Sequence, residues 1–261
     1  MNYNFGYSLK TPGLVFILCD LSRKMALVKD ELEACVKNIL TDNINACFSG
    51  CSIKNRMRIT LIGYGNRTPY IIKEGWADEW VQTLIDTRRN NTPIIIDKLE
   101  NELECESVWG FCNYLLEKQM ADITSNTYYE GLSSPCVINI TCRKPQDEQL
   151  CSQYINVLKT KRVAGYRPCS SAMVLERIRE DFNTAVFNIL LLNKYDNHSD
   201  VYNPDKKYCS NSKAVSFWKE NSSKCDIGYA DLLRVQGIDV AKEPMMFVAT
   251  HCSVSVPLIC F

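Results

Sequence analysis

Leu14–Met25 reads LVFILCDLSRKM. Leu14 to Cys19 form an uninterrupted apolar run that stops at Asp20. Such a run, rich in bulky and β-branched side chains, suits a strand buried on both faces, as in a parallel sheet covered by helices. Asp20 and Ser22 then stand at the carboxyl end of that strand, where open α/β sheets bind their ligands. Both offer oxygen to a hard cation.

Outward from this stretch the pattern alternates. Residues 1–13 read as a polar lead-in punctuated by Pro12-Gly13. After the strand, Val28, Leu32, Cys35, Val36 and Ile39 follow helical spacing, with Asp30, Glu31 and Glu33 on the polar face, and the helix is expected to end before a loop over 42–55. Met57–Tyr64 is a second strand, Gly65-Asn66 a turn, and Tyr70–Ile72 a short edge strand. Ala77–Thr87 carries a helix stripe, and Ile94–Ile96 is an apolar run of no assigned type. In Glu106–Lys118 a helix face forms from Val108, Phe111, Cys112, Leu115 and Leu116, with Ser107 placed to cap its first turn.

Pro135–Thr141 is the third strong strand and runs into Cys142-Arg143-Lys144. Helices are expected over Leu150–Leu158 and Ala172–Phe182, a fourth buried strand over Ala185–Leu192, and a short helix at Tyr229–Val235. The polar, broken stretch 193–228 reads as a long loop or insertion, and Met245–Phe261 as a β-rich extension. Strands separated by helices imply βαβ units and a largely parallel sheet.

Composition narrows the function classes. Lys+Arg and Asp+Glu both total 30, which removes the electrostatic footprint of a nucleic-acid binder. No apolar stretch approaches the ~18 residues of a membrane span, and the N-terminus lacks the pattern of a signal peptide. Fourteen cysteines occur, but without Cys-x-x-Cys spacing, and Cys19, Cys35 and Cys112 sit on predicted core faces. They read as reduced, buried thiols in a cytoplasmic protein rather than as a disulfide scaffold or a zinc site. The Asn139 sequon lies inside a predicted buried strand and is accidental on this reading.

Catalytic motifs are absent. There is no Gly-x-Gly-x-x-Gly after the first strand, no Gly-x-x-x-x-Gly-Lys-Ser/Thr and no Gly-x-Ser-x-Gly. His198 and His251 are the only histidines, and adjacent His251 and Cys252 would point to opposite faces of a strand.

Asp20-x-Ser22 followed by Met25 resembles the strand-one motif Asp-x-Ser-x-Ser-Met of the von Willebrand factor A (vWA) family, with Lys24 in place of the second Ser. Cys105-Glu106-Ser107-Val108-Trp109-Gly110 is similar to the family's Gly-Gly-Thr-x-x-Gly, with Ser107 at the Thr position, and Thr141-Cys142-Arg143 to its Thr-Asp-Gly, with Cys142 replacing the metal-site Asp. The resemblance implies a single α/β, Rossmann-like vWA domain over 1–261, with a mostly parallel central sheet flanked by helices. It is closest to intracellular bacterial vWA scaffolds.

A family-type metal site would retain only Asp20, Ser22 and Ser107, too few oxygens for a divalent ion. Lys24 is expected to sit in the ion's place against Asp20, so no cofactor is assigned, with Mg²⁺ on those three residues as the alternative. The reading is a non-catalytic protein–protein interaction module. It binds an unidentified protein through an apex of Asp20, Ser22, Lys24, Ser107 and Cys142. The alternatives are a metal-dependent ligand-binding vWA domain and an enzyme with a switch-point pocket.

Overall fold

The run that opens the motif is strand β1 (Gly13–Asp20), buried at every residue. In the computed structural model, residues 3–65, 69–95, 108–145, 171–192, 201–202, 212–224 and 244–249 are described. A 3-10 turn (Arg23–Val28) follows β1 and leads into helix α1 (Lys29–Ala46). A hairpin comes next, β2 (Phe48–Ser49) and β3 (Ser52–Ile53), then β4 (Met57–Tyr64), β5 (Tyr70–Trp76) and α2 (Ala77–Asn90). The later elements are α3 (Val108–Thr124), β6 (Cys136–Thr141), α4 (Ser171–Asp181), β7 (Ala185–Leu191), β8 (Val201–Tyr202), α5 (Ser212–Asn221) and β9 (Met246–Ala249).

The main sheet has seven strands in the order β5-β4-β1-β6-β7-β9-β8. Pairings among β4, β1, β6, β7 and β9 are parallel, whereas the edge strands β5 and β8 are antiparallel to their neighbours. This is the α/β, Rossmann-like arrangement expected, mostly parallel and flanked by helices. The chain winds outward from β1 in both directions, so the topological switch point lies between β1 and β6.

Alternation along the strands divides the core in two. Val15, Ile17 and Cys19 of β1, with Ile59 and Leu61 of β4, pack under the apolar stripe of α1 and Trp80 of α2. Leu14, Phe16 and Leu18 point the other way, toward α3, α4 and α5, where Trp109, Leu116, Leu175 and Trp218 are buried. Both faces of β1 are therefore dry, which is why its sequence does not alternate.

The structure departs from the sequence reading at several elements. The lead-in is part of the core: Phe5 and Tyr7 are buried, Tyr7 donates to the carbonyl of Ser134 at 3.0 Å, and its ring packs so tightly on Gly13 that a Cβ there would lie 2.3 Å away. Helix α1 runs on to Ala46 because the Asn43 amide donates to Ile39 O at 2.8 Å and Ile44 is buried. The expected short edge strand extends to Trp76.

Within 193–228, helix α5 brings Ala214, Val215 and Trp218 into the core, so hydrophobic anchors were present inside a stretch dominated by polar residues. Part of the C-terminal extension is no appendage: β9 is a parallel strand of the main sheet, beside β7. The expected helices at Leu150–Leu158 and Tyr229–Val235, and residues 250–261, lie outside the described residues.

Glu33 is the other correction. It sits on the buried side of α1 at 5% exposure and accepts N–H bonds from Ile94 (2.6 Å) and Ile95 (2.8 Å), with Lys37 at 3.2 Å. A carboxylate that satisfies two backbone donors can enter the core where an isolated one could not. Glu33→Ala should therefore destabilise the fold by roughly 1–3 kcal/mol in urea unfolding, because it strands two amides. Lys37→Ala, which removes only a half-exposed partner, should cost less than about 1 kcal/mol.

Candidate functional site

The register of the sheet assembles the apex. Asp20 is paired with Tyr64 of β4, and Cys19 with Ile140 of β6, so the next residue of β6, Thr141, stands beside Asp20. Asp20 has no solvent exposure, and both carboxylate oxygens are engaged. Oδ1 accepts the Ser22 N–H at 2.9 Å, the Asx turn that lets the chain leave the strand. Oδ2 accepts the Thr141 hydroxyl at 2.8 Å and Nε–H of Arg143 at 3.1 Å. Gly65, with φ at 127°, closes over this turn, and a Cβ there would come within 2.8 Å of Asp20 Oδ1 and of Ser22 N.

Arg143, not Lys24, is thus the cation on Asp20. The Arg143 and Asp20 side chains are 13% and 1% exposed, so this is a buried ion pair, and removing one partner of such a pair costs about 3–5 kcal/mol. Lys24 is exposed, because Met25 N–H bonds to Ser22 O at 2.8 Å and begins the 3-10 turn that carries residue 24 outward. Its charge is felt by Cys142 instead. Cys142 is half-buried; burial first, then the Asp20 charge, push its thiol up to about 12, with Lys24 acting in the opposite sense.

The geometry brings together Asp20, Ser22 and Cys142, with Lys24 at the rim. Ser107 lies outside the described residues. Sequence reasoning left out Arg143, Tyr64 and Trp218, and it matched Thr141 to a motif without giving it a role. The available signal was their position: all but Trp218 lie at the carboxyl ends of the strands that flank β1. Tyr64 donates to Asn139 Oδ1 at 2.8 Å, and burial, followed by the Asp20 charge, raises its hydroxyl pKa. Trp218 of α5 donates its indole N–H to Arg143 O at 2.7 Å and packs on Trp109 of α3 at 5.9 Å between ring centroids.

Do these residues suit the divalent ion that the family motif implies? Ser22 Oγ speaks for it, being buried with no hydrogen-bond partner among the described residues. The rest speaks against it. Asp20 is the apex carboxylate, its charge is matched by Arg143, and Cys142 offers a protonated thiol where a second carboxylate would be needed. Among the described residues no group of three His, Cys, Asp or Glu side chains is placed to hold a metal. The described residues do not fit a divalent ion.

An open cavity of about 350 Å³, lined by residues including Tyr3, Arg179, Lys219 and Pro244, lies away from the apex. Its Ser223 bonds to Val186, so it sits at the start of β7, the amino ends of the strands. All seven described cysteines, among them Cys19, Cys35, Cys112 and exposed Cys51, are free thiols. Asn139 is buried and bonded to Tyr64 and Asn188, so its sequon is inaccessible in the folded chain. No helix among the described residues is long and apolar enough to cross a membrane.

No protein-family model matches the chain, and no curated protein does. Solved structures do. The pilus adhesin SpaC from Lactobacillus rhamnosus GG aligns at 13% identity and a TM-score of 0.44, over 82% of this chain and 28% of the adhesin. Proximal thread matrix protein 1 of the mussel byssus aligns at 9% identity and 0.46, over 94% of this chain and 45% of that one. The SpRpn10 VWA domain aligns at 10% identity and 0.39, over 69% of this chain and 76% of that domain.

The thiols give a pH test. The unfolded chain releases thiol protons near about pH 8.5, whereas the folded chain holds Cys19, Cys112, Cys136 and Cys142 protonated above that. Their stabilising contribution is therefore intact below about pH 8.5 and is lost as pH rises through the folded values. Iodoacetamide at about pH 8 should label exposed Cys51 first and Cys142 at least about tenfold more slowly, read by peptide mass spectrometry, because only the thiolate reacts.

Proposed function

We propose that the chain is a non-catalytic protein–protein interaction module. It recognises a protein partner through its vWA-like apex, without a metal ion or other cofactor. The observation that carries this reading is the contrast between floor and rim. The floor is closed: Asp20 is buried, its charge is matched by Arg143 and its Oδ2 is also bonded by Thr141, which leaves no free acid or base there among the described residues. The rim is open: Arg23 and Lys24 are exposed, and Leu27 is 72% exposed on the same turn. A large exposed apolar side chain on the same turn as two exposed cations, next to an apex whose described carboxylate is already paired, suits docking better than turnover. Cys142, the described thiol at the apex, is kept protonated by burial. Free thiols throughout the described residues favour a reducing, cytoplasmic home for an intracellular scaffold.

One observation favours a second reading. The hydroxyl of Ser22 beside Asp20, buried and unpartnered among the described residues, is what a metal-dependent ligand site would contain. It ranks behind because no carboxylate oxygen of Asp20 is left uncommitted.

A photo-reactive benzoylphenylalanine in place of Lys24 or Leu27 tests the interaction in the native cells, with Met173, 59% exposed on α4, as the control position. Discrete protein adducts should form from positions 24 and 27 and be absent from 173. Arg23→Glu with Lys24→Glu should cut the Leu27 adduct by about tenfold, equivalent to ~1.4 kcal/mol, with Tm unchanged. Adducts that are absent, or identical at all three positions, would remove this reading.

A further inference from the structure

We infer that Arg143 is a built-in cation: its guanidinium does at the apex what a divalent ion would otherwise do, and so makes the apex indifferent to divalent metal. The inference rests on the apex being the interaction site and specifies how that site is held together and what cannot regulate it.

A buried carboxylate needs a counter-charge, because transfer out of water strongly disfavours the ionised form. At Asp20 the described counter-charge comes from within the chain. Arg143 Nε lies 3.1 Å from Oδ2, and its side chain is only 13% exposed. The guanidinium is planar, always charged and able to hold several acceptors, which suits it to a fixed position in a way that a lysine ammonium does not share. Arg143 is also anchored from behind, since its own carbonyl accepts the Trp218 indole N–H at 2.7 Å and its N–H reaches Thr141 Oγ1 at 3.3 Å.

The described neighbours Tyr64 and Cys142 add no negative charge beside Asp20. Tyr64 and Cys142 are both held neutral, by burial first and by the Asp20 charge second. An arriving divalent ion would meet a cation already on Asp20 and, among the described residues, no group of three metal-ligating side chains placed to hold it. It would have to break a buried ion pair to reach an oxygen. The apex is therefore assembled as soon as the chain folds, and partner binding is insensitive to chelators and to divalent-ion concentration.

Mn²⁺ titration followed by electron paramagnetic resonance, with Tm measured in Mg²⁺ and in EDTA, tests this on the full chain. The unaltered protein should bind Mn²⁺ no tighter than about millimolar, the weak end of oxygen-ligand sites, and its Tm should be the same in Mg²⁺ and EDTA. Arg143→Ala should bind Mn²⁺ at least about tenfold more tightly than the unaltered chain and gain Tm with Mg²⁺. Arg143→Lys should stay blind to metal. Adding Asp20→Asn to Arg143→Ala should abolish the gain, which a merely structural role for Arg143 would not predict.

Tight Mn²⁺ binding by the unaltered chain overturns the inference. So does a folded Arg143→Ala protein that ignores metal, since Arg143 would then not be what excludes it. Should Arg143→Ala unfold, Mg²⁺ must restore its circular dichroism, and failure to do so counts against the inference in the same way. The adducts at positions 24 and 27 are read separately: their loss with these metal results intact removes the interaction reading and leaves the built-in cation standing.

Discussion

The carboxylate of Asp20 is the group on which the apex depends. It is almost entirely buried, and it sits where the chain must leave its central strand and turn back. A buried charge of this kind persists only if both oxygens are satisfied and the charge is balanced. One oxygen is taken by the turn itself, through Ser22 N–H; the other is shared by the Thr141 hydroxyl and the Arg143 guanidinium. The same atom group thus shapes the loop after β1 and ties it to the loop after β6. Gly65 completes the enclosure, because only a residue without a Cβ fits the space left above the turn.

Behind the apex a row of polar side chains, half-buried at Tyr64 and buried beyond it, crosses the sheet on its α3–α5 face. Tyr64 bonds Asn139, Asn139 bonds Asn188 at 2.9 Å, Asn188 bonds Ser222 at 2.9 Å, and Ser222 donates to Trp218 O at 2.7 Å. Asn139 and Asn188 are register partners, so a one-residue slip of β6 against β7 would turn one amide to the opposite face and leave the other without its partner. In a low-dielectric interior an unpaired amide is costly, and the row thereby discriminates against misregistered sheets that an all-aliphatic core would tolerate. The row also ends on α5, whose Trp218 holds the Arg143 carbonyl. Sheet register and apex geometry are linked through that helix.

Much of this was legible in the chain because hydrophobic burial leaves local traces. The unbroken run Leu14–Cys19, and the matching runs at Met57–Tyr64, Pro135–Thr141 and Ala185–Leu192, mark strands covered on both sides, since only a doubly covered strand has no polar face to show. The helical stripe of Val28, Leu32, Cys35, Val36 and Ile39 is likewise a one-dimensional record of one buried face. Asp20 and Ser22 at the strand end, and Thr141-Cys142-Arg143 after the third strong strand, located the apex by the same logic.

What the sequence by itself determined, then, is the α/β class, the parallel strands and the end of the sheet where Asp20 and Thr141 stand, because periodicity and strand termini are local properties. The tertiary structure decided which polar groups meet. Lys24 and Arg143 are equally cationic on paper, but a single hydrogen-bonded turn carries Lys24 to solvent while the β1–β6 register delivers Arg143 to Asp20. Glu33 looked like one more acid on a polar face until two amides from a loop some sixty residues away, at Ile94 and Ile95, gave it a reason to be buried. Tyr7 and Trp218, set in polar stretches, joined the core because distant surfaces were there to receive them. Charge pairing and long-range burial are properties of proximity in space, and no pattern along the chain encodes them.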